Sequence, residues 1–89
     1  MSIVELSTRE RVTTAVRRLL ADRGITRSFT VQDDLRDIGL TSLDMVNLVL
    51  VVEAELAVSI PEAEITPANF RSVASIVTLV EGLRHRSAA

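Results

Sequence analysis

The stretch from Asp37 to Val46, Asp-Ile-Gly-Leu-Thr-Ser-Leu-Asp-Met-Val, restricts this chain more than any other. It sets a glycine, two hydroxyl residues and a carboxylate directly ahead of an apolar run. A serine or threonine in that position marks a helix N-terminus, because its side-chain oxygen accepts from backbone N–H groups that have no partner inside the helix. With Thr41 as the N-cap, Asp44 falls at the third helical position and gives a Thr-x-x-Asp variant of the capping box. Ser42 is then left at the first helical position with its hydroxyl free. Unpartnered backbone donors and the positive end of the helix dipole converge beside that hydroxyl, an arrangement that suits a phosphate ester.

A serine at a helix start is commonly no more than a cap. Nucleophilic catalysis is the weakest alternative, since a serine hydrolase needs an adjacent base and the one histidine, His85, lies in a polar tail. The wider pattern is Leu35-x-x-Ile38-Gly39-Leu40-x-Ser42-Leu43-Asp44, then an apolar helix ending near Glu53-Ala54-Glu55-Leu56, then Ile60-Pro61. In this order the residues resemble the phosphopantetheine attachment region of the acyl carrier protein family. The resemblance runs from about Arg9 to Leu83.

Periodicity along the chain gives an all-α fold without strands. Ser7-Thr8-Arg9-Glu10 is a capping box that opens a first helix with Val12, Ala15, Val16, Leu19 and Leu20 on one face. Gly24 is placed to end it in the left-handed conformation, and Arg17, Arg18 and Arg23 lie on its solvated side near the negative pole of the dipole. Ile25 to Arg36 has no helical period and reads as a long loop anchored by Phe29, Val31 and Leu35. Asp33 and Asp34 in it suit turn and cap roles better than a metal site. A second helix runs from Ser42 to Leu56. Leu48, Val49, Val52 and Leu56 form its core stripe, and Leu43, Val46, Asn47, Leu50 and Ala54 form another that starts beside Ser42. Pro61 to Ile65 is a short helix stopped by Pro67. Asn69 or Ser72 caps a last helix that buries Val73, Ile76, Val77, Val80 and Leu83. Gly82 weakens its end, and Arg84 to Ala89 is a polar tail expected to fray.

At 89 residues there is room for one small domain, with an ordered core over about residues 7 to 84. Hydrophobic residues are 47% of the chain and aromatics 2%, so the core is aliphatic, with Phe29 and Phe70 its only rings. There is no cysteine, which removes thiolate zinc sites and thiol catalysis. Ten basic and twelve acidic residues give a net charge of −2, no footprint for nucleic acid. Met1 to Leu6 has neither a basic segment nor a long apolar one, and no apolar run reaches membrane-spanning length, so the expectation is a cytoplasmic, monomeric protein.

The resemblance implies more than the residues alone. It implies a four-helix bundle of three main helices and one short one with a long first loop. It implies Ser42 as the attachment point of 4′-phosphopantetheine taken from coenzyme A by a phosphopantetheinyl transferase. It implies a protein without catalytic or metal-binding residues that carries acyl or aminoacyl groups as thioesters between a loading enzyme and downstream synthase or tailoring enzymes. Partner recognition would fall on Leu43, Asp44, Val46, Asn47, Leu50 and Glu53. An acyl cavity between the second and last helices would be lined by Val49, Val52, Ile60, Ile65, Val73 and Ile76. The chain departs from the family's common pattern at Thr41, usually aspartate, and at Asn47 and Ala54, often acidic in carriers of fatty acid synthesis. A less negative recognition face points to a stand-alone carrier of polyketide, hybrid or nonribosomal biosynthesis. The alternatives are a fatty-acid-synthesis carrier and a helical interaction module that is never modified.

Overall fold

The computed structural model describes residues 7–88, with side chains over 7–86. The readings made on Met1 to Leu6 and on Ala89 lie outside the described residues. Four α-helices are present, α1 (Thr8–Asp22), α2 (Leu35–Ile38), α3 (Ser42–Leu56) and α4 (Val73–Ala88), with a 3-10 turn at Glu62–Glu64, and there is no strand among the described residues.

α1 begins as its sequence dictates. The Glu10 N–H donates to the Ser7 hydroxyl at 3.1 Å and the Ser7 N–H donates to Glu10 Oε1 at 2.9 Å, so two donors that the helix leaves orphaned are satisfied reciprocally. It ends where Gly24 adopts φ +75°, with the Ile25 N–H reaching back to the Leu20 carbonyl at 2.8 Å. Val12, Ala15, Val16 and Leu20 are buried on one face. α1 packs against both α3 and α4.

The long loop is shorter than its composition suggests, because α2 takes its last two residues, Leu35 and Arg36. Asp34 caps that turn, its carboxylate accepting from the Arg36 N–H at 2.9 Å. Asp33 closes the preceding turn by accepting from the Thr30 N–H at 2.8 Å. The loop is fastened at two further points: the Leu35 N–H donates to the Arg71 carbonyl (2.8 Å) and the Ala74 N–H to the Val31 carbonyl (2.9 Å). Leu35 is fully buried, while Phe29 and Val31 pack against the core from its edge. The Arg17 guanidinium lies 5.9 Å from the Phe29 ring centre, so Phe29 serves as a half-buried cover and Phe70 is the buried ring.

The later chain refines its sequence reading at four points. The short helix at Pro61 to Ile65 is a single 3-10 turn, with Pro61 just outside it. Of the two candidate caps of the last helix, Ser72 serves, exchanging hydrogen bonds with Ser75, while the Asn69 amide donates to the Glu64 carbonyl at 2.8 Å. Leu79 joins the buried face of α4. The helix continues through Gly82 to Ala88, and the Arg84 guanidinium donates to the Leu56 carbonyl (2.8 Å) and to the Thr8 hydroxyl (3.0 Å), which binds the end of α4 to α3 and α1.

Candidate functional site

The turn between α2 and α3 presents Ser42. Gly39 adopts φ +129°, a conformation that a side-chain-bearing residue rarely takes, and a Cβ there would stand 2.8 Å from Ile25 Cδ1. The chain can therefore double back within Gly39-Leu40, bury Leu40 and start α3 at once. Thr41 is the cap: its hydroxyl accepts from the Asp44 N–H at 3.3 Å and donates to Asp44 Oδ2 at 2.9 Å, while the Thr41 N–H donates to the same oxygen at 2.8 Å. Capping is thus discharged by Thr41 and Asp44. Ser42 is exposed, and its hydroxyl takes part in no hydrogen bond among the described residues.

Asp44 is 5% exposed, and its carboxylate also receives the Arg23 Nε, 2.9 Å away. The hydrogen bond from the Thr41 N–H holds the Asp44 carboxyl below the usual carboxylate range, against the upward push of desolvation, with Arg23 and the Thr41 hydroxyl adding to the lowering. Asp44 was expected on the partner-recognition face. It is turned inward with its oxygens committed, and that expectation is corrected. Glu53 is half-buried, and its Oε2 accepts from the Ile60 N–H at 2.9 Å, pinning the connection after α3. The other four are on the surface, with Leu43, Val46 and Leu50 at 67%, 57% and 59% exposure and Asn47 exposed beside them.

A groove of about 630 Å³ opens next to Ser42. Met45, Val46 and Val49 of α3 form one wall, and the 65–71 segment, with Ile65, Pro67, Ala68 and Phe70, forms the other. Asp34, Arg36 and Arg71 stand among its lining residues. Of the six residues expected to line an acyl cavity, Val49 and Ile65 border this groove. Val52, Ile60, Val73 and Ile76 do not; they are buried in the aliphatic core, so the groove lies between α3 and the segment preceding α4, not between α3 and α4. Two participants escaped the sequence reading. Arg23 looked like a solvated dipole partner because its acid lies 21 positions away, and the Thr66 to Arg71 wall has no periodicity to reveal which way it faces.

These features can be set beside known proteins. Residues 10–80 match the family described as "Phosphopantetheine attachment site", and the chain belongs to it. It is 42% identical over 80 residues to Aminoacyl carrier protein 1 of Bradyrhizobium diazoefficiens, covering 90% of this chain and 89% of that protein. Aminoacyl carrier protein 2 of the same organism is 40% identical over 75 residues, 84% of each chain. In the crystal structure of Bradyrhizobium japonicum glycine:carrier protein ligase complexed with its cognate carrier protein and an analogue of glycyl adenylate, a chain 40% identical superposes with a TM-score of 0.77, covering 84% of this chain and 96% of that one.

The chain is accordingly a carrier protein with a covalent phosphopantetheine group, a substrate of partner enzymes and not itself a catalyst. The residues present fit that group. An exposed hydroxyl without a hydrogen-bond partner sits at a helix start, and the first two N–H groups of α3, those of Ser42 and Leu43, are not used by the cap. Among the described residues no helix is long and apolar enough to cross a membrane.

Proposed function

We propose that this chain is a stand-alone aminoacyl carrier protein whose arm is attached at Ser42. The observation that carries the proposal is the free, exposed Ser42 hydroxyl beside a cap supplied entirely by its neighbours. In the attachment step the Ser42 oxygen bonds to the phosphorus that carries pantetheine in coenzyme A, the pyrophosphate bond breaks, 3′,5′-ADP leaves, and the serine proton passes to a base of the transferase. The arm then supplies a terminal thiol, on which an amino acid is held as a thioester. Ser42 and the α3 N-terminus anchor its phosphodiester, and the groove gives it an apolar bed against Met45, Val49 and Phe70.

The aminoacyl cargo is favoured by the two relatives named as aminoacyl carriers and by the ligase complex of the structural neighbour. The loading partner would then be an amino acid:carrier protein ligase, docking on Leu43, Val46, Asn47 and Leu50. With Asn47 and Ala54 where acids often stand, this face suits downstream enzymes of specialised polyketide, hybrid or nonribosomal assembly better than those of fatty acid synthesis. Action as a monomer in the cytoplasm, where coenzyme A is available, follows from the same reading.

The test is mass spectrometry of the chain after incubation with coenzyme A and a broad-specificity transferase. A phosphopantetheine increment on the Ser42 peptide, absent from Ser42→Ala, is expected, followed by a second increment when an amino acid, ATP and a glycine:carrier protein ligase are supplied. An unmodified wild-type chain would sink the proposal and favour an interaction module. Acylation by acyl donors of fatty acid synthesis in preference to amino acids would return the cargo to acyl groups.

A further inference from the structure

We propose that Arg23 is a positioning residue for the modified serine: by pairing with Asp44 it neutralises the carboxylate that shares a helical turn with the phosphodiester on Ser42. The inference rests on the assignment of the arm to Ser42. Its basis is a conflict built into the first turn of α3. The Thr41-x-x-Asp44 box needs a carboxylate at the third helical position, and that carboxylate folds back onto the Thr41 N–H and hydroxyl, at 2.8 and 2.9 Å, two positions along the helix from the residue that would carry the arm. Attachment adds a second negative charge to the same turn. Two anions held in one turn at a helix N-terminus repel across the protein and water between them, and Asp44, at 5% exposure, keeps its charge at that end through its hydrogen bonds to Thr41.

Arg23 resolves the conflict from another element. It is the C-cap residue of α1, and its Nε lies 2.9 Å from the Asp44 carboxylate. The charged residues that line the groove are Asp34, Arg36 and Arg71, with Asp34 lying 3.8 Å from Arg71. Nothing else described is within ion-pair distance of Asp44. With Arg23 in place the turn has one anion neutralised and one, the phosphodiester, free to interact with the N–H groups of Ser42 and Leu43 and with the helix dipole. Without it, two uncompensated anions share one helix end.

The experiment compares melting temperatures of unmodified and phosphopantetheinylated protein for wild type, Arg23→Gln and Arg23→Lys, at 50 mM and 1 M NaCl, with the arm mapped to Ser42 by mass spectrometry. In wild type the modified form should melt at or above the unmodified form at both salt concentrations. In Arg23→Gln the modified form should fall below the unmodified form by roughly 3 °C at low salt, the scale that a weak like-charge contact produces in a domain of this size. High salt, with a screening length of about 3 Å, should erase most of that gap, and Arg23→Lys should restore the wild-type order. A merely structural arginine would lower both forms equally. An equal loss in both forms, or a gap that salt does not change, overturns the proposal. Should Arg23→Gln fail to fold, the wild type decides: a modified form that melts below the unmodified one at 50 mM NaCl and recovers at 1 M shows the charge uncompensated and overturns it. No increment on the Ser42 peptide removes the premise and defeats both readings, whereas an increment with equal losses defeats only this one.

Discussion

Ser42 and Asp44 stand two positions apart and use their oxygens in opposite ways, one free and exposed, the other buried in a net of hydrogen bonds. Substitutions should separate these uses. Thr41→Ala removes the cap and half of the box and should cost about 1 kcal/mol, up to 2, in denaturant unfolding, while Ser42 remains available for loading. Ser42→Ala should abolish loading and change stability by much less, since its hydroxyl makes no hydrogen bond among the described residues. A comparable loss from both would mean that Ser42 shares the cap. Acid should expose the role of Asp44. Its folded-state pKa is lowered, so its contribution to stability is fully present above the ordinary carboxylate value, about 3.9, and is lost as pH falls through the lower folded value. Glu10, lowered chiefly by the hydrogen bond from the Ser7 N–H, acts with the same sign. Melting temperature should therefore drop below about pH 4 in wild type and drop less in Asp44→Asn. At this scale the box was legible, because Thr-x-x-Asp ahead of an apolar run has one strong meaning. The burial of Asp44 was not, because the guanidinium that covers it comes from another helix.

Elements divide along the same line. α1 and α3 announced themselves through caps and period, and their bounds follow those signals. α2 did not, since four residues are too few to show a period, and Asn69 stayed a cap candidate beside Ser72 because its real partner, the Glu64 carbonyl, depends on a 3-10 turn that brings the two together. The link between α2 and α3 is where element geometry meets the site. Gly39→Ala forces a side chain into φ +129°, and although Ile25 can swing its Cδ1 away, the backbone strain stays. A loss of about 1–3 kcal/mol is expected, together with slower loading of Ser42, both measurable in one preparation. Unchanged stability would show that the turn has another low-energy form. The two faces of α3 offer the companion test. Leu48, at 0% exposure, should lose about 2–5 kcal/mol as alanine. Leu50→Ser, at 59% exposure, should cost within about 0.5 kcal/mol yet raise the KM of the loading ligase. A large melting drop with normal loading would return Leu50 to the core.

For the molecule as a whole, the two ends do different work. The site end holds Ser42, the Arg23–Asp44 pair and the groove; the other end joins the close of α3 to the start of α1 and to the last turns of α4. Ser42 and Leu56 are separated by the length of α3, roughly 21 Å at 1.5 Å per residue. Arg84 makes the far junction, donating to the Leu56 carbonyl at 2.8 Å, one of the carbonyls that the end of a helix leaves without a partner, and to the Thr8 hydroxyl at 3.0 Å. Sequence offered no sign of this, since an arginine after Gly82 in a polar tail looks like solvated charge until three helices are packed. Hydrogen bonds from a charged donor contribute about 1.5–3 kcal/mol when sheltered. Arg84 is exposed, and that discount leaves about 1 kcal/mol for Arg84→Ala, a melting drop of about 4–8 °C in a domain of this length. Because the junction is a helix length from Ser42, the rate of phosphopantetheine transfer at a temperature well below melting should equal that of wild type. Normal melting with impaired loading would reverse the assignment, making Arg84 a contact for the enzyme and leaving the end of α4 to be held by the buried Leu83 and Val80 alone.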